Sequence, residues 1–142
     1  MNFPITEIQH LIPQKDTFVL VSSCISHDES DTVATFIIPA NHLLVEDNRL
    51  SPYGLIEHMA QSAAIRSGLA AQMKNEPPPI GFIGTINDAI IHHLPPVGAE
   101  IHTTVHQTTA LLNIIVIETQ CFMSDTLIAQ SKMKIVLMGD QI

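Results

Sequence analysis

The chain of 142 residues carries six lysines and arginines against fourteen acidic residues, a formal net charge of −8, and is 46% hydrophobic with only 14% charged. That length suits one domain, residues 1–142, with a sizeable core. The acidic balance removes the electrostatic basis of nucleic-acid binding, and no apolar run is long enough to span a bilayer; the opening MNFPITEIQHLIP lacks the basic-then-apolar order of a signal peptide, so a cytoplasmic protein is expected.

In chain order, Ile5 to Leu11 predicts a short helical turn, stopped by Pro13. Phe18–Ile25 (FVLVSSCI) is rich in β-formers and predicts a strand, and the polar turn Asp28–Asp31 leads to a hairpin partner at Thr32–Pro39. Ala40–Leu50 has no clear period and reads as the loop that delivers the chain to a helix. Ser51 can accept from an orphan backbone donor and Pro52 suits a first helical turn. From there Leu55, Ile56, Met59 and Ile65 supply apolar surface, while Gly54, Ala60, Ala63, Ala64 and Gly68 keep the cylinder thin. A thin, nearly all-apolar helix from about Pro52 to Met73 is one that other elements wrap. It ends near Lys74, because Asn75–Pro79 (NEPPP) cannot continue it.

Beyond the helix the signals are those of strands. Ile80–Leu94 is an apolar run whose Gly81 and Gly84 predict a bulge or a close approach by a ligand or partner chain. Pro95, Pro96 and Gly98 turn the chain into three strands, Glu100–Thr109, Leu111–Met123 and Thr126–Met138, with reversals at Thr109–Ala110 and Ser124–Asp125. Two strands, one buried helix and four more strands on short connections favour a single antiparallel sheet curled around a central helix, an α+β fold. Cys24 and Cys121 lie in apolar strand-like runs and read as buried free thiols. His102 and His106 share a strand face about 13 Å apart, and His92 and His93 point to opposite faces if extended, so no metal site and no cofactor are expected.

Glu57-His58-Met59-Ala60-Gln61 resembles the E-x-M-A-Q stretch of the hotdog-fold 3-hydroxyacyl-acyl carrier protein dehydratases. Ile12-Pro13 to Phe18-Val19-Leu20-Val21 is similar to that family's L-P-H-x-x-P-F-L-L-V opening, Gly81-Phe82-Ile83-Gly84 to its F-x-A-G-I segment, and Pro95-Pro96-Val97-Gly98 to its P-x-x-P-G-D segment. The matches span about four-fifths of the chain and imply the hotdog fold. Two departures stand out. The family's G-H-F-P-G loop is absent between Asn41 and Pro52, its histidine column falling on Leu43 with His42 one place away, and its opening histidine is replaced by Gln14. These make the chain look closest to the divergent dehydratase-like proteins of aryl polyene and flexirubin-type pigment pathways.

Dehydrating a 3-hydroxyacyl thioester needs a base for the α-proton, an acid for the departing hydroxyl and a dipole for the charge on the thioester oxygen. The helix N-terminus supplies the dipole, with Tyr53 and Gly54 as the expected donors. Glu57, expected to be desolvated in an apolar helix, is the candidate acid; a carboxyl held by backbone donors or by a partner chain is the other reading. His42 is the candidate base, against a solvated loop histidine, and His58 is either a dimer contact or a substitute base. Gln61, Gly81 and Gly84 join Tyr53 and Gly54 as expected substrate contacts. Met59, Met73, Met123, Met133 and Met138 read as core packing.

A sheet around one helix leaves edge strands open, so a homodimer or higher even oligomer is expected. The resemblance implies a site between protomers, Glu57 of one chain facing the His42 loop of the other, and an acyl carrier protein or acyl-CoA thioester as substrate, with Arg66, Lys74, Lys132 and Lys134 as possible basic contacts for an acidic carrier. The implied activity is that of a hydro-lyase giving trans-2-enoyl thioesters in fatty-acid-like or polyene lipid biosynthesis. Two alternatives stand beside it: a hotdog acyl thioesterase, or a non-catalytic acyl-binding or structural subunit paired with an active dehydratase.

Overall fold

A computed structural model of the protein describes residues 2–14, 16–77 and 80–138; Pro78 and Pro79 of the expected helix-breaking run lie outside the described residues. The strands are β1 (Ser23–His27), β2 (Asp31–Ile37), the short pair β3 (Val45–Glu46) and β4 (Arg49–Leu50), then β5 (Ile80–Ile91), β6 (Glu100–Leu111), β7 (Ile114–Met123) and β8 (Thr126–Met138). One helix, α1 (Pro52–Met73), sits between β4 and β5. Six strands form an antiparallel sheet in the order β1-β2-β6-β7-β8-β5, so within this sheet the chain order is two strands, helix, four strands, with β3 and β4 a separate pair.

Ser51 caps α1 as its chemistry predicts, its Oγ accepting from the Gly54 N–H at 3.2 Å, with Pro52 opening the first turn. The far end closes before the prolines: Asn75 adopts a left-handed φ of 55°, and Lys74 and Glu76 both donate to the Ala71 carbonyl, at 3.0 and 2.9 Å. The sheet's inner face alternates as a half-buried strand must. On β6, Ile101, Thr103 and Val105 are buried, and His102, Thr104 and His106 turn outward. Leu55, Met59 and Ala63 of α1 pack on that face with Phe36, Ile101, Val105, Ile117, Cys121 and Met133. A second cluster, Ile8, Leu11, Ile12, Val21, Cys24, Ile65 and Leu69, binds the N-terminal segment to the other flank of the helix. Gly68 makes that contact possible, because a Cβ there would lie 2.5 Å from the Leu11 carbonyl oxygen. Cys24 and Cys121 are buried free thiols.

Several expected boundaries are corrected. Ile5 does not begin a helical turn: it forms an antiparallel bridge to Cys24, and a single turn follows, closed by Leu11 N–H on the Ile8 carbonyl at 2.9 Å. The first strand begins at Ser23, not Phe18, with a short 3-10 turn at Asp16–Phe18 before it. Ala40–Leu50 contains the β3–β4 hairpin, whose two turn residues Asp47 and Asn48 both have positive φ, 51° and 64°, as a type I′ turn requires. The β6–β7 reversal is at Leu112–Asn113, three residues past Thr109, because Thr109, Ala110 and Leu111 stay paired with Val116, Ile115 and Ile114. The expected β5 bulge is present, the register shifting between Ile83 and Thr85 and again between Asn87 and Ile90, where Asp88 has a φ of 54°.

Candidate active site

The E-x-M-A-Q turn of α1 faces the segment that precedes β1. Phe18–Leu20 is rich in strand formers, yet helix side chains bond its Phe18 carbonyl and both the N–H and the carbonyl of Leu20. Gln61 Oε1 accepts from the Leu20 N–H at 2.7 Å, and Gln61 Nε2 donates to the Phe18 carbonyl at 2.8 Å. The same Nε2 donates to Glu57 Oε1, one turn back, at 3.2 Å. Buried and fixed at both ends of its amide, Gln61 holds the Glu57 carboxyl in one direction. Its hydrogen bonds thus go to Phe18, Leu20 and Glu57, where a substrate contact was expected.

Glu57 is half-buried, not sunk in an apolar helix as expected; the wholly buried titratable side chain of this turn is its neighbour His58. His58 Nδ1 lies 2.7 Å from the Leu20 carbonyl, and its ring stacks on Phe36 with centroids 6.0 Å apart and planes inclined by 25°. A carbonyl only accepts, so Nδ1 carries the ring proton. Burial pushes the His58 pKa down to about 4, outweighing the opposing pull of the Leu20 carbonyl, with His102 a further lowering influence. The ring is neutral at pH 7.

His42, on the loop after β2, meets the same phenylalanine: the ring centroids of His42 and Phe36 are 6.2 Å apart at an interplanar angle of 81°. Its Nδ1 accepts from the Leu44 N–H at 3.0 Å, which assigns its ring proton to Nε2. Within a single chain, then, the structure brings His42 and His58 to one aromatic side chain. Sequence reasoning missed Phe36, whose only signal was its place in the apolar strand TVATFIIP.

The other expected residues are more dispersed. Tyr53 stands exposed at the helix N-terminus, whereas the Gly54 N–H is engaged by Ser51 and its Cα is covered by the buried Leu50, leaving no room there for a side chain. Gly81 and Gly84 lie on β5, at the opposite margin of the sheet from β1. Arg66 is not a basic docking contact: it is buried, with its guanidinium bonded to the Asp28 and Glu29 carbonyls and to Thr32 Oγ1, and it clamps the β1–β2 turn. Lys132 and Lys134 are exposed on β8, and Lys132 lies 3.8 Å from Glu118. His106 pairs with Asp31 at 2.6 Å, and His102 stacks on Phe122. Among the described residues no group of three or more His, Cys, Asp or Glu is gathered for a metal, and no helix is long and apolar enough to cross a membrane.

A six-stranded antiparallel sheet around one helix is the hotdog fold, and the family model that the chain matches makes the protein dehydratase-like. A model of the ApeP-like family, described as ApeP dehydratase, matches residues 6–140, and the chain belongs to that family. Among solved structures, the dehydratase heterocomplex ApeI:P from Xenorhabdus doucetiae is similar over 99% of this chain and 94% of that one, with a TM-score of 0.86 at 14% identity. An uncharacterised protein from Pyrococcus horikoshii covers 98% and 97% with a TM-score of 0.71 at 10% identity. The PaaI protein from the phenylacetic acid degradation operon of E. coli covers 82% and 78%, with a TM-score of 0.65 at 13% identity. Likeness at such identities concerns the fold. No curated protein matches the chain.

Proposed function

We propose that this chain takes part in dehydrating 3-hydroxyacyl thioesters on an acyl carrier protein to trans-2-enoyl thioesters, in cytoplasmic fatty-acid-like or polyene synthesis without a cofactor. The observation that carries this reading is the bond from Gln61 to Glu57, which orients a half-buried carboxyl from a helix turn of the dehydratase pattern. In the proposed reaction Glu57 protonates the departing hydroxyl, an imidazole of the second chain takes the α-proton, and the helix N-terminus beside Tyr53 offsets charge on the thioester oxygen. Membership of a dehydratase family supports the chemistry.

A second chain completes the proposed site. β1 and β5 are the sheet margins, and β5 carries exposed Ile83, Ile86 and Ile90, an apolar edge of the kind proteins cover by pairing. The similar structure that is a heterocomplex favours a dehydratase partner over a second copy, and with it the reading in which this chain is the subunit without the G-H-F-P-G loop.

The test is mass spectrometry of a 3-hydroxyacyl carrier-protein thioester after incubation with the protein, alone and with a dehydratase partner that carries that loop. Loss of one water that falls at least a hundredfold in Glu57→Gln supports the catalytic reading. Water loss that needs the partner and is untouched by Glu57→Gln assigns this chain a supporting role. Release of free thiol makes it a thioesterase.

A further inference from the structure

Two buried imidazole nitrogens lack a hydrogen-bond partner among the described residues, His58 Nε2 and His42 Nε2, and they are of opposite kind. With its proton on Nδ1 facing the Leu20 carbonyl, His58 presents a bare lone pair at Nε2. With Nδ1 accepting from Leu44, His42 presents an N–H. Both rings lie against Phe36. A buried acceptor without a donor carries a desolvation penalty, and a ligand group that supplies the donor relieves it.

We propose that His58 is a specificity-determining residue whose Nε2 accepts a hydrogen bond from the 3-hydroxyl of the acyl substrate, so that a hydroxyacyl chain is held in preference to a saturated one. The inference rests on the dehydratase reading and names the atom that recognises its substrate. The chemistry of the ligand narrows the choice: beside the reacting carbons of a 3-hydroxyacyl thioester the hydroxyl is the hydrogen-bond donor, the carbonyl only accepts, and the remaining chain is hydrocarbon. A ring that stays neutral through the physiological range serves well as an acceptor, and its weakly basic nitrogen is poorly matched to abstracting a proton from carbon. His42 Nε2–H is the complementary donor, suited to an oxygen of the same substrate. A site built to bond a hydroxyl discriminates against the analogue that lacks it, because the buried nitrogen is then left unpaired.

His58→Asn separates this role from packing: the Asn amide stands where Nδ1 does and keeps a donor for the Leu20 carbonyl, while Nε2 is gone. Dissociation constants of the whole protein, alone and with a dehydratase partner that carries the G-H-F-P-G loop, are measured for a 3-hydroxyacyl-pantetheine amide and its saturated counterpart. The unmodified protein is expected to favour the hydroxylated ligand roughly tenfold, and His58→Asn to bind the two alike. A preference that persists in His58→Asn, or none in the unmodified protein, overturns the inference. In protein labelled with 15N-histidine, the His58 Nε2 resonance moves on adding the hydroxylated ligand and not the saturated one; an unmoved resonance overturns it even where His58→Asn fails to fold. Water loss without hydroxyl preference removes this inference alone and leaves the dehydratase reading standing. Failure of both ligands to bind, with and without the partner, removes both readings.

Discussion

Gln61 and Leu20 stand 41 residues apart in the chain, and the Leu20 N–H reaches Gln61 Oε1 at 2.7 Å. The amide of a helix side chain thereby does for Phe18–Leu20 what a neighbouring strand does elsewhere in the sheet. Gln61→Leu leaves the Leu20 N–H and the Phe18 carbonyl without these partners, and frees Glu57. We expect a loss of about 2–4 kcal/mol of stability, read as a lowered urea midpoint with an unchanged slope.

His58 makes stability fall in acid. Unfolded, its imidazole takes a proton near 6.5; folded, near 4. Between those values the unfolded chain holds more protons, so stability is complete above about pH 6.5 and declines as pH is lowered toward 4, by about 3 kcal/mol in all. Urea denaturation of the protein and of His58→Asn across pH 4–7 checks this, the variant losing that part of the dependence.

Arg66 bonds two backbone carbonyls and one hydroxyl of the β1–β2 turn from a buried position. A lysine ammonium is a point charge and cannot span that fork, so Arg66→Lys is expected to destabilise by about 2–4 kcal/mol, close to Arg66→Ala. Faster hydrogen exchange at Ser30 and Asp31, whose amides bond Asp28 Oδ1, locates the damage.

Gly68→Ala opposes two effects. Helix propensity favours alanine by about 1 kcal/mol, but the new methyl meets the Leu11 backbone, which cannot swing away as a side chain can. Overpacking wins, with a net loss of about 1–3 kcal/mol by thermal melting.

Leu112 tests strain in the other direction. It occupies the left-handed region with a φ of 56° and is almost fully exposed, so it loses backbone energy there with no packing to offset it. Leu112→Asn is expected to stabilise by about 1 kcal/mol, read as a raised melting temperature.

Leu112 also explains how a boundary escaped the sequence. The string TTALLNII carries no Gly or Pro to mark a reversal, and the turn falls on a leucine that adopts a conformation its side chain disfavours. The helix was legible throughout because Ser51, Pro52 and an apolar run of small residues act locally. Phe18–Leu20 was not, since its β-rich composition says nothing of partners that lie 38 to 43 residues onward. The same limit applies to the site. Glu57 and Gln61 stood out in one helical turn, but the burial of His58 and the tautomers of both histidines depend on Leu20, Leu44 and Phe36, which only folding brings to them.

The bridge between Ile5 and Cys24 ties the N-terminal segment to the sheet margin at β1. Among the described residues before β1, Leu11 and its neighbours pack on the helix and Leu20 is held by Gln61 and His58, while the ladder from β1 to β5 is paired without them. Such a layer can lift as a local opening, at a free energy below that of global unfolding, and leave the sheet paired. Its release breaks the Leu20 contacts to Gln61 and His58 together, so one small movement uncovers the carboxyl-bearing turn and the buried imidazole at the same moment.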